Sequence, residues 1–223
     1  MGQTGINGMH TEILSDRHLE LLQWLSDAAV LPGAYMAGGT ALALQTGWRM
    51  SVDFDFFTQG DFDPYRLSET LRQAYEHDFT VRRITDGTCD VVISGIQVSF
   101  FRYPYKLLRP PRSSQAYPGI RLASVEDIAC MKVIAVGQRG ARKDFFDLYQ
   151  ILTTFLTMEE LAAFLKEKYG PADFSYTYMG MTYFDDAEKE SLGQVFVPYD
   201  WEEIKRYFLA EAPRFNKALT ENR

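Results

Sequence analysis

Two adjacent glycines, Gly38 and Gly39, end a short apolar run, Ala34 to Ala37, and open Thr40 to Gln45, a stretch of helix-forming composition that closes at Gly47. This order reads as strand, glycine turn, short helix, and it commits the region to a mixed α/β (α+β) architecture. Glycines lack the Cβ that would cover neighbouring backbone N–H groups, and a helix start adds unpaired donors and the positive dipole end. Such a turn suits a polyphosphate. Thirteen residues separate Gly39 from Asp53, and Asp55 follows across Phe54. The alternation of acids with aromatic residues reads as a strand, with both carboxylates on one face and Val52, Phe54 and Phe56 on the other. The two Asp Cα atoms would then lie roughly 6–7 Å apart, within reach of one hard cation. Like charges that close repel unless a divalent ion neutralises them, which asks for Mg²⁺ or Mn²⁺.

The pattern Gly-Gly-x13-Asp-x-Asp resembles the signature of the DNA-polymerase-β-like nucleotidyltransferase superfamily. The fuller string from Gly38 to Phe57, with Arg49 and Ser51 in step with the acids, is similar to the AbiEii/AbiGii-type toxin family of nucleotidyltransferases. The resemblance implies a nucleotidyltransferase fold, a small mixed β-sheet with flanking helices followed by a C-terminal helical domain. It also implies transfer of a nucleoside monophosphate from an NTP to an acceptor hydroxyl. In that reading Asp53 and Asp55 hold the metal, Gly38, Gly39, Thr40 and Ser51 contact the triphosphate, and Arg49 neutralises it. The implied acceptor is RNA, tRNA in particular, and the implied partner an antitoxin encoded alongside. Two other classes stay open: a transferase acting on a small, antibiotic-like molecule, and a catalytically inactive nucleotide-binding partner module.

Along the chain, residues 1–10 read as a disordered lead-in. A helix capped near Ser15-Asp16 runs through Leu19, Leu21, Leu22, Trp24 and Leu25, whose spacing gives one apolar face, and Asp63-Pro64 opens another. Strands follow over 79–84, 89–94 and 96–103, with Asp86-Gly87 and Ser94-Gly95 as turns. Members of the superfamily commonly carry a third carboxylate on a later strand, and the corresponding position here is Ser99, which is neither a strong ligand nor a base. This departure is what keeps the inactive-module reading open. Prolines 104, 110, 111 and 118 mark 103–119 as an irregular loop, so a nucleotidyltransferase core over 1–103 and a mainly helical domain over 104–223 are expected. Ser124 to Asp127 opens a helix with Ile128, Met131, Ile134 and Ala135 on its inner face and Lys132 elsewhere.

The string Gln138 to Tyr149 holds Lys143, Asp144 and Asp147, with Lys143 and Asp147 as i, i+4 neighbours. It is similar to the Lys-Asp-x-x-Asp motif of the AbiEii-type family. By that resemblance Lys143 holds a phosphate, and Asp147 orients the lysine or acts as acid/base. Beyond it, Thr157 and Asp200 read as helix caps, and the aromatics Tyr176, Tyr178, Tyr183 and Phe184 suit either core or partner contacts, the commoner use, or stacking on nucleic-acid bases. The net charge of −7 is uneven, with 11 basic and 6 acidic residues across 79–150. A basic middle third suits a polyanionic acceptor, whereas the acidic total opposes non-specific nucleic-acid binding. Cys89 and Cys130 sit in apolar contexts and read as buried free thiols. With no apolar run near the ~20 residues of a membrane span and no leader pattern, a cytoplasmic protein is expected.

Overall fold

A computed structural model describes residues 8–75 and 77–220. Most of the lead-in expected over 1–10 lies outside the described residues. Of the rest, Met9 is buried and the backbone N–H of His10 donates to Leu44 at 2.7 Å, so this part is packed. The chain divides into two compact units, Met1–Tyr105 with Pro111–Ala123, and Lys106–Pro110 with Ser124–Arg223.

The first unit holds helices α1 (Asp16–Ala28), α2 (Gly38–Thr46) and α3 (Pro64–Ala74) and a seven-stranded sheet. Its strands are β1 (Tyr35–Ala37), β2 (Phe54–Thr58), β3 (Phe79–Thr85), β4 (Thr88–Ile93), β5 (Ile96–Arg102), β6 (Arg112–Ser113) and β7 (Arg121–Leu122). They lie in the order β3-β4-β5-β2-β1-β7-β6, with β2 parallel to β5, β1 parallel to β7 and the other pairs antiparallel. The mixed sheet expected from sequence is present. Alternation is clean in β2, where Phe54, Phe56 and Thr58 are buried, whereas β1 is buried throughout; Met36, Val91, Val98 and Phe100 also lie in the core. Asp55, Phe57, Gln97 and Phe101 interleave with them.

Local chemistry sets the boundaries. Pro64 occupies the first turn of α3, and the Asp63 carboxylate accepts from the backbone of Tyr65 at 2.9 Å and Arg66 at 3.0 Å. Two hairpins turn at Asp86-Gly87 and at Ser94-Gly95, where Ser94 and Gly95 both have positive φ, as tight two-residue turns demand. The stretch 103–119 is the irregular loop expected, apart from one two-residue strand. That strand is β6, and β7 follows directly to pair with β1 at Met36 and Leu122. Arg121 fastens it by donating to the Ala34 carbonyl at 2.9 Å. Strands of two residues leave no periodicity to read.

The second unit is helical: α4 (Val125–Gln138), α5 (Arg142–Thr154), α6 (Met158–Tyr169), α7 (Ser175–Met181) and α8 (Trp201–Thr220). The Thr157 capping box with Glu160 opens α6, and the Asp200 side chain accepts from the N–H of Glu202 ahead of α8. α4 packs on α5, α6 and α7. It touches α7 closely enough that a Cβ on Gly180 would lie 2.6 Å from the Gly137 Cα. The face expected for α4 is corrected by this packing: Ile128, Ala129, Cys130, Lys132, Val133 and Val136 are buried, whereas Met131, Ile134 and Ala135 are only partly covered. Phe174, Thr177 and Met181 are buried, while Tyr176, Met179 and Tyr183 are exposed.

Both cysteines are free and buried, and burial pushes their thiols up to about 11 for Cys89 and about 12 for Cys130. No helix among the described residues is long and apolar enough to cross a membrane.

Candidate active site

In the first unit the glycine turn and the acidic strand meet. Gly38 has φ +75°, a left-handed conformation that turns β1 directly into α2. A Cβ there would lie 3.1 Å from Asp55 Oδ2, and one on Gly39 would lie 2.7 Å from an Arg49 guanidinium nitrogen and 2.8 Å from Ser51 Oγ. Only glycine allows the start of α2 to sit this close to the carboxylate, the guanidinium and the hydroxyl together. Arg49 is 4% exposed, and its Nη1 donates to the Met50 carbonyl at 2.9 Å. Buried Thr40 staples the loop over the helix start. Its hydroxyl donates to the Asp53 carbonyl at 2.5 Å and lies 3.0 Å from Ser51 Oγ. The structure thus brings together Gly38, Gly39, Thr40, Arg49, Ser51, Asp53 and Asp55 on one turn, one loop and one strand end.

Asp53 immediately precedes β2 and is exposed; Asp55 is inside the strand and half-buried. Asp53 also lies near enough to His18 on α1 for its charge to support the imidazolium, although burial outweighs this and the histidine pKa is lowered. Sheet register pairs Asp55 with Ala37 on β1 and with Ser99 on β5, and Ser99 in turn with Asp90 on β4. Residues paired across neighbouring strands point to one face, so Asp55, Ser99 and Asp90 form a row. Ser99 Oγ donates to Asp90 Oδ1 at 3.2 Å.

No group of three or more His, Cys, Asp or Glu able to hold a metal occurs among the described residues. Two neighbouring carboxylates fit one mode of binding. Mg²⁺ commonly takes one or two carboxylates and completes its octahedron with substrate phosphates and water. Asp53 and Asp55, beside a helix start suited to phosphate, match that donor set.

The second unit holds the other motif. Lys143 lies in the first turn of α5, is exposed, and makes no ion pair among the described residues. Asp147 is buried, and its partner is Lys132 of α4, Nζ to Oδ2 at 2.6 Å. Lys132, 4% exposed, also donates to Asp144 at 2.9 Å, and Arg139 grips Asp144 at 2.7 Å and 3.0 Å. Burial would raise the Asp144 carboxyl, but the two cations outweigh it and hold the group at about 2. The expected i, i+4 reading of Lys143 with Asp147 missed Lys132. The available signal was a lone lysine between Cys130-Met131 and Val133-Ile134, a position that a buried helix tolerates only with carboxylate partners.

With this geometry in place, known proteins offer a comparison. The family model described as "Nucleotidyl transferase AbiEii toxin, Type IV TA system" matches residues 20–221. An uncharacterised protein of Aquifex aeolicus (strain VF5) is 35% identical over 198 residues, which is 87% of this chain and 94% of that protein. Among solved structures, MenT4, a nucleotidyltransferase toxin of Mycobacterium tuberculosis H37Rv, superposes with a TM-score of 0.60 at 17% identity, over 93% of this chain and 83% of that one. The crystal structure of a candidate nucleotidyltransferase from H. pylori gives 0.57 at 20% identity, over 94% and 99%. At these identities the two structures speak to the fold, and the fold they share with this chain is a nucleotidyltransferase fold.

Proposed function

The chain belongs to the AbiEii nucleotidyltransferase toxin family, and on that premise we propose that it moves a nucleoside monophosphate from an NTP to a hydroxyl of an RNA acceptor, with tRNA the leading candidate. The acceptor oxygen attacks the α-phosphorus, the bond from that phosphorus to the bridging oxygen of the β-phosphate breaks, and pyrophosphate leaves. Asp53 and Asp55 would hold Mg²⁺ or Mn²⁺, which when bound supplies charge neutralisation on the phosphates. The N–H groups at Gly38-Gly39 would cradle the triphosphate, with Ser51 beside them and Arg49 opposing its charge. Thr40 serves this cradle by fixing its loop. In the second unit, exposed Lys143 is proposed as a phosphate cation. Asp147, whose carboxylate is committed to Lys132, suits holding Lys132 in place better than accepting a proton or orienting Lys143.

One observation supports this reading above the others: the close approach of Gly38 to Asp55, which puts a helix start of the kind that suits an anion against a carboxylate of the kind that suits a cation. A cytoplasmic setting and a cognate antitoxin complete the proposal, the latter suggested by the family's description as a toxin of a type IV system.

The test is incubation with Mg²⁺, each α-labelled NTP and total cellular RNA, beside an Asp53→Ala control. Label in RNA that disappears with Asp53→Ala is the expected result. Label confined to small molecules would move the acceptor to that class, and no label despite NTP binding would overturn the transferase reading for this chain.

A further inference from the structure

Four carboxylates are buried among the described residues: Asp90, Asp127, Asp144 and Asp147. Three meet a cation. Asp127 holds Lys168 at 2.6 Å, Asp147 holds Lys132, and Asp144 holds Lys132 and Arg139. Asp90, 8% exposed, has no ion pair among the described residues, and its partner is the hydroxyl of Ser99. A buried carboxylate without a cation is costly, and proteins keep one where a positive charge arrives from outside. The row that carries it leads through Ser99, 1% exposed, to Asp55. A serine hydroxyl has one proton and two lone pairs. With its proton committed to Asp90, Ser99 offers only lone pairs to its other neighbours. Gln97 Nε2, at 3.4 Å, lies on the same side chain row of β5, and Arg82 donates to Gln97 in turn. The arrangement leaves Ser99 an acceptor, backed by a full negative charge one strand away.

We infer that Asp90 is a positioning residue for the divalent-cation site, acting through Ser99, whose oxygen accepts a hydrogen bond from the water shell of a cation held at Asp55. The carboxylate expected at position 99 is thereby displaced by one strand rather than lost, and its charge reaches the site through a hydroxyl. Outer partners of this kind orient and strengthen a site without ligating. The inference rests on the reading of Asp53 and Asp55 as metal ligands.

The experiment is a titration with Mn²⁺ alone, read by the loss of the free-ion electron paramagnetic resonance signal, on the full chain and five variants. Asp90→Asn and Ser99→Ala are each expected to weaken Mn²⁺ binding about tenfold. The double variant should be no weaker than either single one, since both break one connection. Asp90→Asn with Ser99→Asp moves the carboxylate back beside Asp55 at unchanged total charge, and it should recover most of the affinity. That recovery separates a role at the cation from general damage, and thermal unfolding of each variant checks the fold. Wild-type affinity in both single variants would overturn the inference, as would loss with Asp90→Asn but not with Ser99→Ala. Asp55→Ala separates the two levels: if it binds Mn²⁺ normally, the metal-site reading itself falls, whereas loss there with Asp90→Asn intact removes only the role of Asp90.

Discussion

The two units treat buried charge in opposite ways. In the helical unit, Asp144 and Asp147 share Lys132, Arg139 closes the set, and Asp127 separately holds Lys168 while accepting from the backbone of Leu108 and the hydroxyl of Ser124. Every buried carboxylate there is matched within the unit. In the sheet unit, Asp90 is buried against a serine, and Asp55 sits beside the start of α2. Charges balanced internally hold a fold together but have nothing to offer a ligand. A buried carboxylate that meets no cation among the described residues, as Asp90 is, costs stability and favours the approach of a positive charge. The comparison therefore predicts that substitutions in the helical unit act mainly on stability, and those along the sheet row mainly on binding.

The strongest test of that division is Lys132→Met. It leaves Asp147 buried without its partner at 2.6 Å and Asp144 with Arg139 alone, and removing one member of a buried ion pair costs about 3–5 kcal/mol. Urea unfolding should show that loss. Unchanged stability would mean the cluster is not a structural support, and the comparison would fail. Acid is the next lever. Asp144 is held at about 2, below the ordinary 3.8, so its contribution is fully present above pH 4 and is lost as pH falls toward 2. A shift of that size corresponds to about 2 kcal/mol. Asp144→Asn should flatten the stability profile between pH 4 and pH 2, measured as the urea midpoint at each pH.

On the sheet side, Gly38→Ala forces a Cβ onto a residue at φ +75°, 3.1 Å from Asp55 Oδ2. The backbone cost is about 1–2 kcal/mol. The sharper consequence is at the site: the helix start and the carboxylate must separate, so Mn²⁺ and NTP affinity should both fall while the helical unit is untouched. A variant that loses stability but keeps both affinities would show that the close approach serves folding only.

How much of this was legible in sequence depended on how local the cause was. The glycine turn, the Asp63-Pro64 start and the two hairpins are each decided by residues adjacent in the chain, and they stand where expected. The row Asp55, Ser99, Asp90 needed the register of three strands, which no single strand announces. β6 and β7 are too short to alternate. In α4, apolar residues surround the helix, so periodicity pointed to Met131 and Ile134 where packing chose Ala129, Lys132 and Val136. Gly137 hides for the same reason, because its need for space arises from Gly180 on another helix. The pattern sets Lys132 apart from the expected apolar face, and its burial is invisible there because its partners lie 12 and 15 positions further along, on α5.

The smallest expected effect bears on that last difference. Lys143 and Lys132 both flank the Asp144–Asp147 motif, but only Lys143 carries an exposed charge not already matched by a carboxylate. Lys143→Ala removes no buried contact, so stability should stay within about 0.5 kcal/mol. A solvent-exposed cation facing phosphate is worth up to about 1 kcal/mol, so the KM for NTP should rise a few-fold at low salt, with little change in kcat. The rise should shrink as salt is added, because screening acts on exposed charges and spares buried ones. If KM does not move at any salt concentration, Lys143 is an ordinary surface charge. The phosphate role in this motif would then fall to a lysine already neutralised by two carboxylates, and the separation between supporting and binding charges would have to be redrawn inside the helical unit.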